Sequence, residues 1–117
     1  MQEDLQAELT SWRAQLRKGS LELGVLLLLR KQPRYGLELV DLMNREANLG
    51  MSEGSIYPLL ARLRAEKKVE TEWVDDGVGH AHKYYRLTER GRAICKAMLV
   101  AWREWSGAFG KLTGEER

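Results

Sequence analysis

Cysteine is nearly absent from this 117-residue chain: Cys95 stands alone. A single thiol excludes an internal disulfide framework and fits a reducing compartment. Long apolar runs are absent too. The longest, residues 24–29, is closed by Arg30 and Lys31 and falls far short of the roughly eighteen residues a membrane span needs. The start, Met1-Gln2-Glu3-Asp4, is acidic where a secretory leader is basic and then apolar. A cytoplasmic location and no membrane partner are therefore expected. Also missing are a glycine-rich phosphate loop, a nucleophile with an evident base, and a carboxylate pair suited to acid–base work, so no enzyme activity is expected. His80, His82 and Cys95 are soft donors, but no fourth ligand stands at the spacing of a zinc site. No metal and no cofactor are expected, and Cys95, among Ile94, Met98 and Leu99, reads as a buried thiol.

What is present is enough apolar residue, 44%, to bury a core, at a length that suits one compact domain over residues 1–117. The net charge of +2 says little about partners, and its distribution says more. Acids gather at the two ends (Glu3, Asp4, Glu8; Glu115, Glu116) and at Asp41 and Glu46. Bases gather in Arg13, Arg17 and Lys18, in Arg30, Lys31 and Arg34, and in Arg62, Arg64, Lys67 and Lys68. A fold that brings the last two groups to one face makes a local positive field in a nearly neutral protein. The same groups also suit solvated helix faces.

Leu5, Leu9, Trp12 and Leu16 recur at helical spacing and form one apolar stripe. Ser20 suits the N-cap of a second helix, with Glu22 in its first turn. Residues 21–31 are apolar nearly all round, which predicts a central core helix that ends at Pro33. Tyr35-Gly36 opens a third helix, with Leu37, Val40, Leu42 and Met43 as its apolar positions and Glu38, Asp41, Asn44 and Arg45 toward water. Residues 48–51 read as a turn in which Gly50 takes the left-handed conformation. Ser52 caps a fourth helix over residues 52–66, whose stripe is Ile56, Leu59, Leu60 and Leu63. Pro58 lies close enough to its start to cost one hydrogen bond. From Val69 to Val74 the period changes to that of a strand, residues 75–80 have turn chemistry, and Lys83 to Leu87 return as a second strand. Tyr84 and Tyr85 alternate, so one must point inward. Thr88 caps a long last helix through Ile94, Met98, Ala101, Trp102, Trp105 and Phe109.

This order predicts a mostly α fold with a β-hairpin: a winged helix-turn-helix over residues 20–87, flanked by an N-terminal helix (1–18) and a C-terminal helix (89–110). In such folds the second motif helix enters the major groove and the wing reaches the neighbouring backbone. The hydroxyls of Ser52 and Ser55, with the free N–H groups at that helix start, suit a phosphate oxygen. Arg62, facing out, would grip a phosphate or a guanine edge, and the wing, residues 75–82, followed by Lys83, would bring His80, His82 and Lys83 to the duplex.

Four runs resemble the PadR-like transcriptional regulators. They are Gly19-Ser20-Leu21-Glu22-Leu23, Tyr35-Gly36, Ser52-Glu53-Gly54-Ser55-Ile56-Tyr57-Pro58-Leu59-Leu60-Ala61-Arg62-Leu63, and Lys83-Tyr84-Tyr85-Arg86-Leu87-Thr88-Glu89-Arg90-Gly91. The resemblance covers about residues 17–95 and is closest to the subfamily with a single C-terminal dimerisation helix. It implies a repressor that dimerises through its terminal helices and releases DNA on sensing a small molecule or stress. It also implies Tyr35, Ser55, Tyr57, Arg62 and Lys83 as DNA contacts. One departure stands out: where the family turn after the recognition helix carries a glycine and an apolar residue, this chain has Lys67-Lys68.

The flanking helices carry three of the four tryptophans, Trp12, Trp102 and Trp105. Two amphipathic helices beside a domain that already has a core call for a partner chain, so a homodimer is expected, with Leu9, Trp12, Leu16, Met98, Trp102, Trp105 and Phe109 at its seam. Dimerisation doubles the bases read on a double-stranded DNA operator. The resemblance adds an aromatic pore between protomers, where a small planar hydrophobic effector would stack on Trp102 and Trp105. The alternative from another class is a winged-helix protein-interaction module without DNA binding, with a poor basic face and little salt dependence.

Overall fold

A computed structural model describes residues 1–48 and 50–114. Its elements run α1 (Gln2–Lys31), β1 (Arg34–Tyr35), α2 (Gly36–Ala47), α3 (Glu53–Ala65), β2 (Val69–Asp75), β3 (Ala81–Leu87) and α4 (Glu89–Thr113). Leu49, within the expected turn, and the acidic Glu115 and Glu116 lie outside the described residues.

The expected break at Ser20 is absent. One helix of 30 residues, about 45 Å long, joins the expected helix of residues 1–18 to the core helix. A serine caps only where its own backbone leaves the helix. Ser20 stays helical, and its hydroxyl donates to the Leu16 carbonyl four residues back at 2.8 Å. The second half of α1 is core: Leu23, Val25, Leu26 and Leu29 are buried, and full burial of each such side chain is worth roughly 1.5–3 kcal/mol. The first half is not, and Leu5, Trp12 (58%) and Leu16 remain exposed.

Asn44, expected to face water, instead spans the turn between α2 and α3. Its amide nitrogen donates to the Met51 carbonyl at 2.9 Å, and its Oδ1 accepts the Met51 N–H at 2.7 Å. Asn48 and Gly50 beside it are left-handed, with φ of 50° and 66°. α3 then starts at the expected cap: Ser52 Oγ accepts from the Ser55 N–H at 3.2 Å, an interaction typically worth about 1 kcal/mol. The helix runs through Pro58 with Ile56, Leu60 and Leu63 buried beneath it.

The hairpin is part of a three-stranded antiparallel sheet in the order β1-β3-β2. The added strand is only two residues long, Arg34 opposite Tyr85 and Tyr35 opposite Tyr84. Alternation sends Tyr85 and Leu87 into the core and leaves Tyr84 on the other face. Where the resemblance calls for glycine, Lys67 adopts φ 62°. The turn keeps its left-handed geometry at a cost of roughly 1–2 kcal/mol, and Lys68 follows it into an ion-paired site. Thr88 caps α4 as expected, its hydroxyl accepting the Gly91 N–H at 3.0 Å. α4 packs on α1 and buries Cys95 completely. Burial pushes that thiol up, against the pull of nearby Arg30.

The ends of α1 and α4 project from this body. The radius of gyration is 16.7 Å, where a compact chain near this length has about 13 Å. Among the described residues no helix is long and apolar enough to cross a membrane.

Candidate nucleic-acid interface

The outward side of α3 is built from small residues. Gly54, Pro58, Ala61 and Ala65 are all exposed and spaced four, three and four, so the helix backbone can approach a partner closely. At its start the hydroxyls of Ser52 and Ser55 stand 3.1 Å apart beside the positive end of the helix dipole, a setting that favours an anionic oxygen.

Tyr57 is exposed on one flank, yet its ring rests on Gly36. A Cβ at position 36 would stand 2.5 Å from Tyr57 Cε1, so the Tyr35-Gly36 motif and Tyr57 form one contact. Lys83 on β3 faces the same flank, with its Nζ 5.8 Å from the centroid of the Tyr85 ring. Tyr35 and His82 do not join them. Their rings stack at 4.4 Å and 20°, with Tyr84 edge-on to Tyr35 at 5.5 Å. Strand alternation puts His82 and Tyr84 on the face opposite Lys83 and Tyr85. His80 is exposed in the loop between β2 and β3, its Nδ1 3.5 Å from Asp76 Oδ2. The Asp76 carboxylate accepts the N–H groups of Val78 and His80. The bond from Val78 leads in holding that carboxyl below its usual range.

Arg62 is placed differently from its expected outward orientation. One guanidinium nitrogen lies 2.7 Å from Glu22 Oε1, and the other 3.3 Å from both oxygens of Glu66. Lys68 Nζ stands 2.9 Å from a carboxylate oxygen of each of the same two residues. Two cations and two carboxylates thus form a neutral ring that ties α1 to the end of α3 and the turn after it. Burial alone would push the Glu22 carboxyl up, but the hydrogen bonds and charges of Lys68 and Arg62 outweigh it and hold the group below its ordinary value. Sequence reasoning missed this ring because Glu22 and Arg62 are 40 residues apart. Arg34 is likewise paired, with Glu38 at 3.8 Å. Of the two basic groups expected to converge, Arg34, Arg62 and Lys68 are paired with carboxylates, while Arg64, and Lys83 on the wing strand, have no ion pair among the described residues.

Glu22→Gln should therefore destabilise the fold by about 2 kcal/mol, because the Lys68 side chain, 14% exposed, is left with Glu66 alone. Urea unfolding measures this, and coincident curves would refute it. The pH dependence has a definite sign. A carboxyl whose pKa is lowered by folding stabilises fully above the usual carboxylate range and loses that contribution as pH falls through the lowered value. The variant should lose less stability over that acid window than the natural chain.

The expected seam residues lie along α1 and α4. Leu16, Met98, Trp102 and Trp105, joined by Leu23, surround one apolar groove of about 420 Å³. Trp105 (57% exposed) meets Trp102 at 6.5 Å and Phe109 at 4.7 Å between ring centroids. Leu9, Trp12 and Phe109 lie beyond the groove lining.

The transcriptional regulator PadR-like family model matches residues 25–97. Similar solved structures include a PadR-like transcriptional regulator from Bacillus cereus, 33% identical with a TM-score of 0.79 over 85% of this chain and 96% of that one. A PadR family transcriptional regulator from Eggerthella lenta is 30% identical with a TM-score of 0.81, covering 95% and 96% of the two chains. Bacillus subtilis PadR, solved in complex with operator DNA, is 25% identical with a TM-score of 0.64 over 70% of this chain and 46% of that one. The motifs on α3 and β3, the winged helix-turn-helix that carries them and the family match agree, and the chain belongs to the PadR-like family of transcriptional regulators.

Proposed function

We propose that the chain is a sequence-specific repressor that acts as a homodimer on a pseudo-palindromic double-stranded operator. The observation that carries this reading is the exposed, small-residue face of α3, bordered by the Ser52–Ser55 hydroxyls and by open cations toward the wing strand. The relative bound to operator DNA supports it. In this reading α3 enters the major groove, Ser52 and Ser55 take a backbone oxygen, and Tyr57 and Lys83 meet the duplex beside them. His80 reaches out from the wing tip. Tyr35 and His82 brace the outer strand pair, and Arg62 acts at one remove by holding α3 to α1. Residues 20–87 serve as the DNA-binding core, and residues 1–18 with 89–110 as the seam.

The homodimer rests on the exposed apolar strip of Leu5, Trp12 and Leu16 on α1 and of Trp102, Trp105 and Phe109 on α4. A single chain leaves this strip in water, and a two-fold copy would cover it. The α1–α4 groove also suits a small planar hydrophobic effector, since ligand pockets measure about 300–1,000 Å³. Titration with a flat hydrophobic cation should quench tryptophan fluorescence and lower DNA affinity; unchanged emission would remove the effector.

Selection from a library of random duplexes tests the whole reading. Enrichment of a two-fold symmetric site, with half-sites about one helical turn or a multiple apart, is the expected result. No enrichment at any salt would overturn it and leave the protein-interaction module.

A further inference from the structure

Between the recognition helix and the wing strand runs a second groove, of about 630 Å³, walled by Tyr57, Ala61, Arg64 and Ala65 from α3 and by Lys83 and Tyr85 from β3. Its lining holds two cations, two tyrosines and two alanines, and no carboxylate, in a chain with 17 Asp and Glu. Neither Arg64 nor Lys83 has an ion pair among the described residues. The contrast with Arg62 is direct: two positions away on the same helix, it is held by two carboxylates. The two open cations also address the same place. Lys83 Nζ lies over the Tyr85 ring, and the charge of Arg64 acts on that phenol, partly offsetting the upward push of burial and Tyr57. Ala61 and Ala65 keep the space between them clear.

Two like charges facing an acid-free groove repel each other until an anion sits between them. An anionic oxygen pair at hydrogen-bond distance from a guanidinium and an ammonium is the strong, charge-assisted case. We propose that Arg64 and Lys83 clamp one backbone phosphate of the bound duplex, with the Tyr57 hydroxyl beside it. This inference rests on the DNA-binding reading above and adds Arg64 to the residues it names. A clamp with one jaw on the recognition helix and one on the wing fixes the angle between them on the duplex. It positions the helix without reading a base.

The test uses the full chain and the duplex recovered by selection. Arg64→Ala and Lys83→Ala should each weaken binding about tenfold, equally on the selected and a scrambled duplex. Because the jaws share one phosphate, the double variant should flatten the slope of log affinity against log salt by about 0.9, not twice that. Single neutral methylphosphonate linkages stepped along a half-site should weaken the natural chain at one position where the double variant is insensitive. Identical methylphosphonate profiles for the two proteins would overturn the clamp, and a doubled slope change would assign the cations to separate phosphates and overturn it as well. Failure of the natural chain to bind any duplex would instead sink the DNA-binding reading itself.

Discussion

Gly91→Ala should cost the fold about 3 kcal/mol, although it adds a single methyl group at the start of a helix. A Cβ at position 91 would be driven into the Lys68 carbonyl and would crowd Leu87 Cδ2 at 3.3 Å. Backbone cannot rotate away as a flexible side chain can. The carbonyl in question is also occupied, accepting the Thr88 N–H at 3.1 Å. Just before it, the Thr88 hydroxyl donates to the Lys67 carbonyl at 2.6 Å and Arg90 Nε to the Glu66 carbonyl at 3.1 Å. Three successive carbonyls of the turn after α3 are thus bound to the first turn of α4, and the glycine lets the two backbones touch. Relieving the clash means lifting α4 from this turn and from β3 together. Thermal unfolding followed by circular dichroism should show the midpoint fall by about 10 °C or more. A midpoint within a degree or two of the natural chain would mean that this contact is not fixed as described.

Trp102→Ala combined with Trp105→Ala should have the opposite character, leaving the fold intact and removing the proposed dimer. Both rings are exposed in the single chain, so truncation opens no hole in the core around Val25, Leu26, Leu60 and Cys95. In a dimer the area still open, 39% of Trp102 and 57% of Trp105, would be covered, roughly 100 and 140 Å² of a side chain of about 250 Å², worth roughly 2–4 kcal/mol per ring, and the symmetry counts each ring twice. Light scattering should report monomer mass at concentrations where the natural chain is dimeric. Affinity for the selected duplex should fall about 100-fold or more, because two half-sites are then no longer linked. An unchanged dimer mass would show that the chains meet elsewhere.

Much of the fold is legible locally. Ser52 and Thr88 announce α3 and α4 because a cap is a contact over three residues. The β-branched and aromatic alternation around Val69 and Tyr85 announces the wing for the same reason. Ser20 misleads because its hydroxyl can serve either as a cap or as a bond back to Leu16, and only the packing of α1 decides between them. β1 is two residues long, and its existence depends on Tyr84 and Tyr85 some fifty positions away. The same holds for the interface. The two serines are legible as a helix start and Tyr57 and Lys83 through the family resemblance, whereas the placement of Arg62 follows from Glu22 on another helix. Asn44 reads in sequence as an ordinary surface polar residue, and Gly91 enters only as the end of a family motif. Each is instead held by backbone that arrives from elsewhere in the chain. Arg64, one of four clustered bases in sequence, is set apart by lining a groove that holds no carboxylate.

The most direct measurement is fluorescence anisotropy of the full chain against the selected duplex and a scrambled control, across about 50–200 mM salt. A sequence-specific repressor should bind the selected duplex far more tightly than the control, with log affinity falling linearly as log salt rises. Weak binding equal for both duplexes, or affinity that hardly responds to salt, would contradict it.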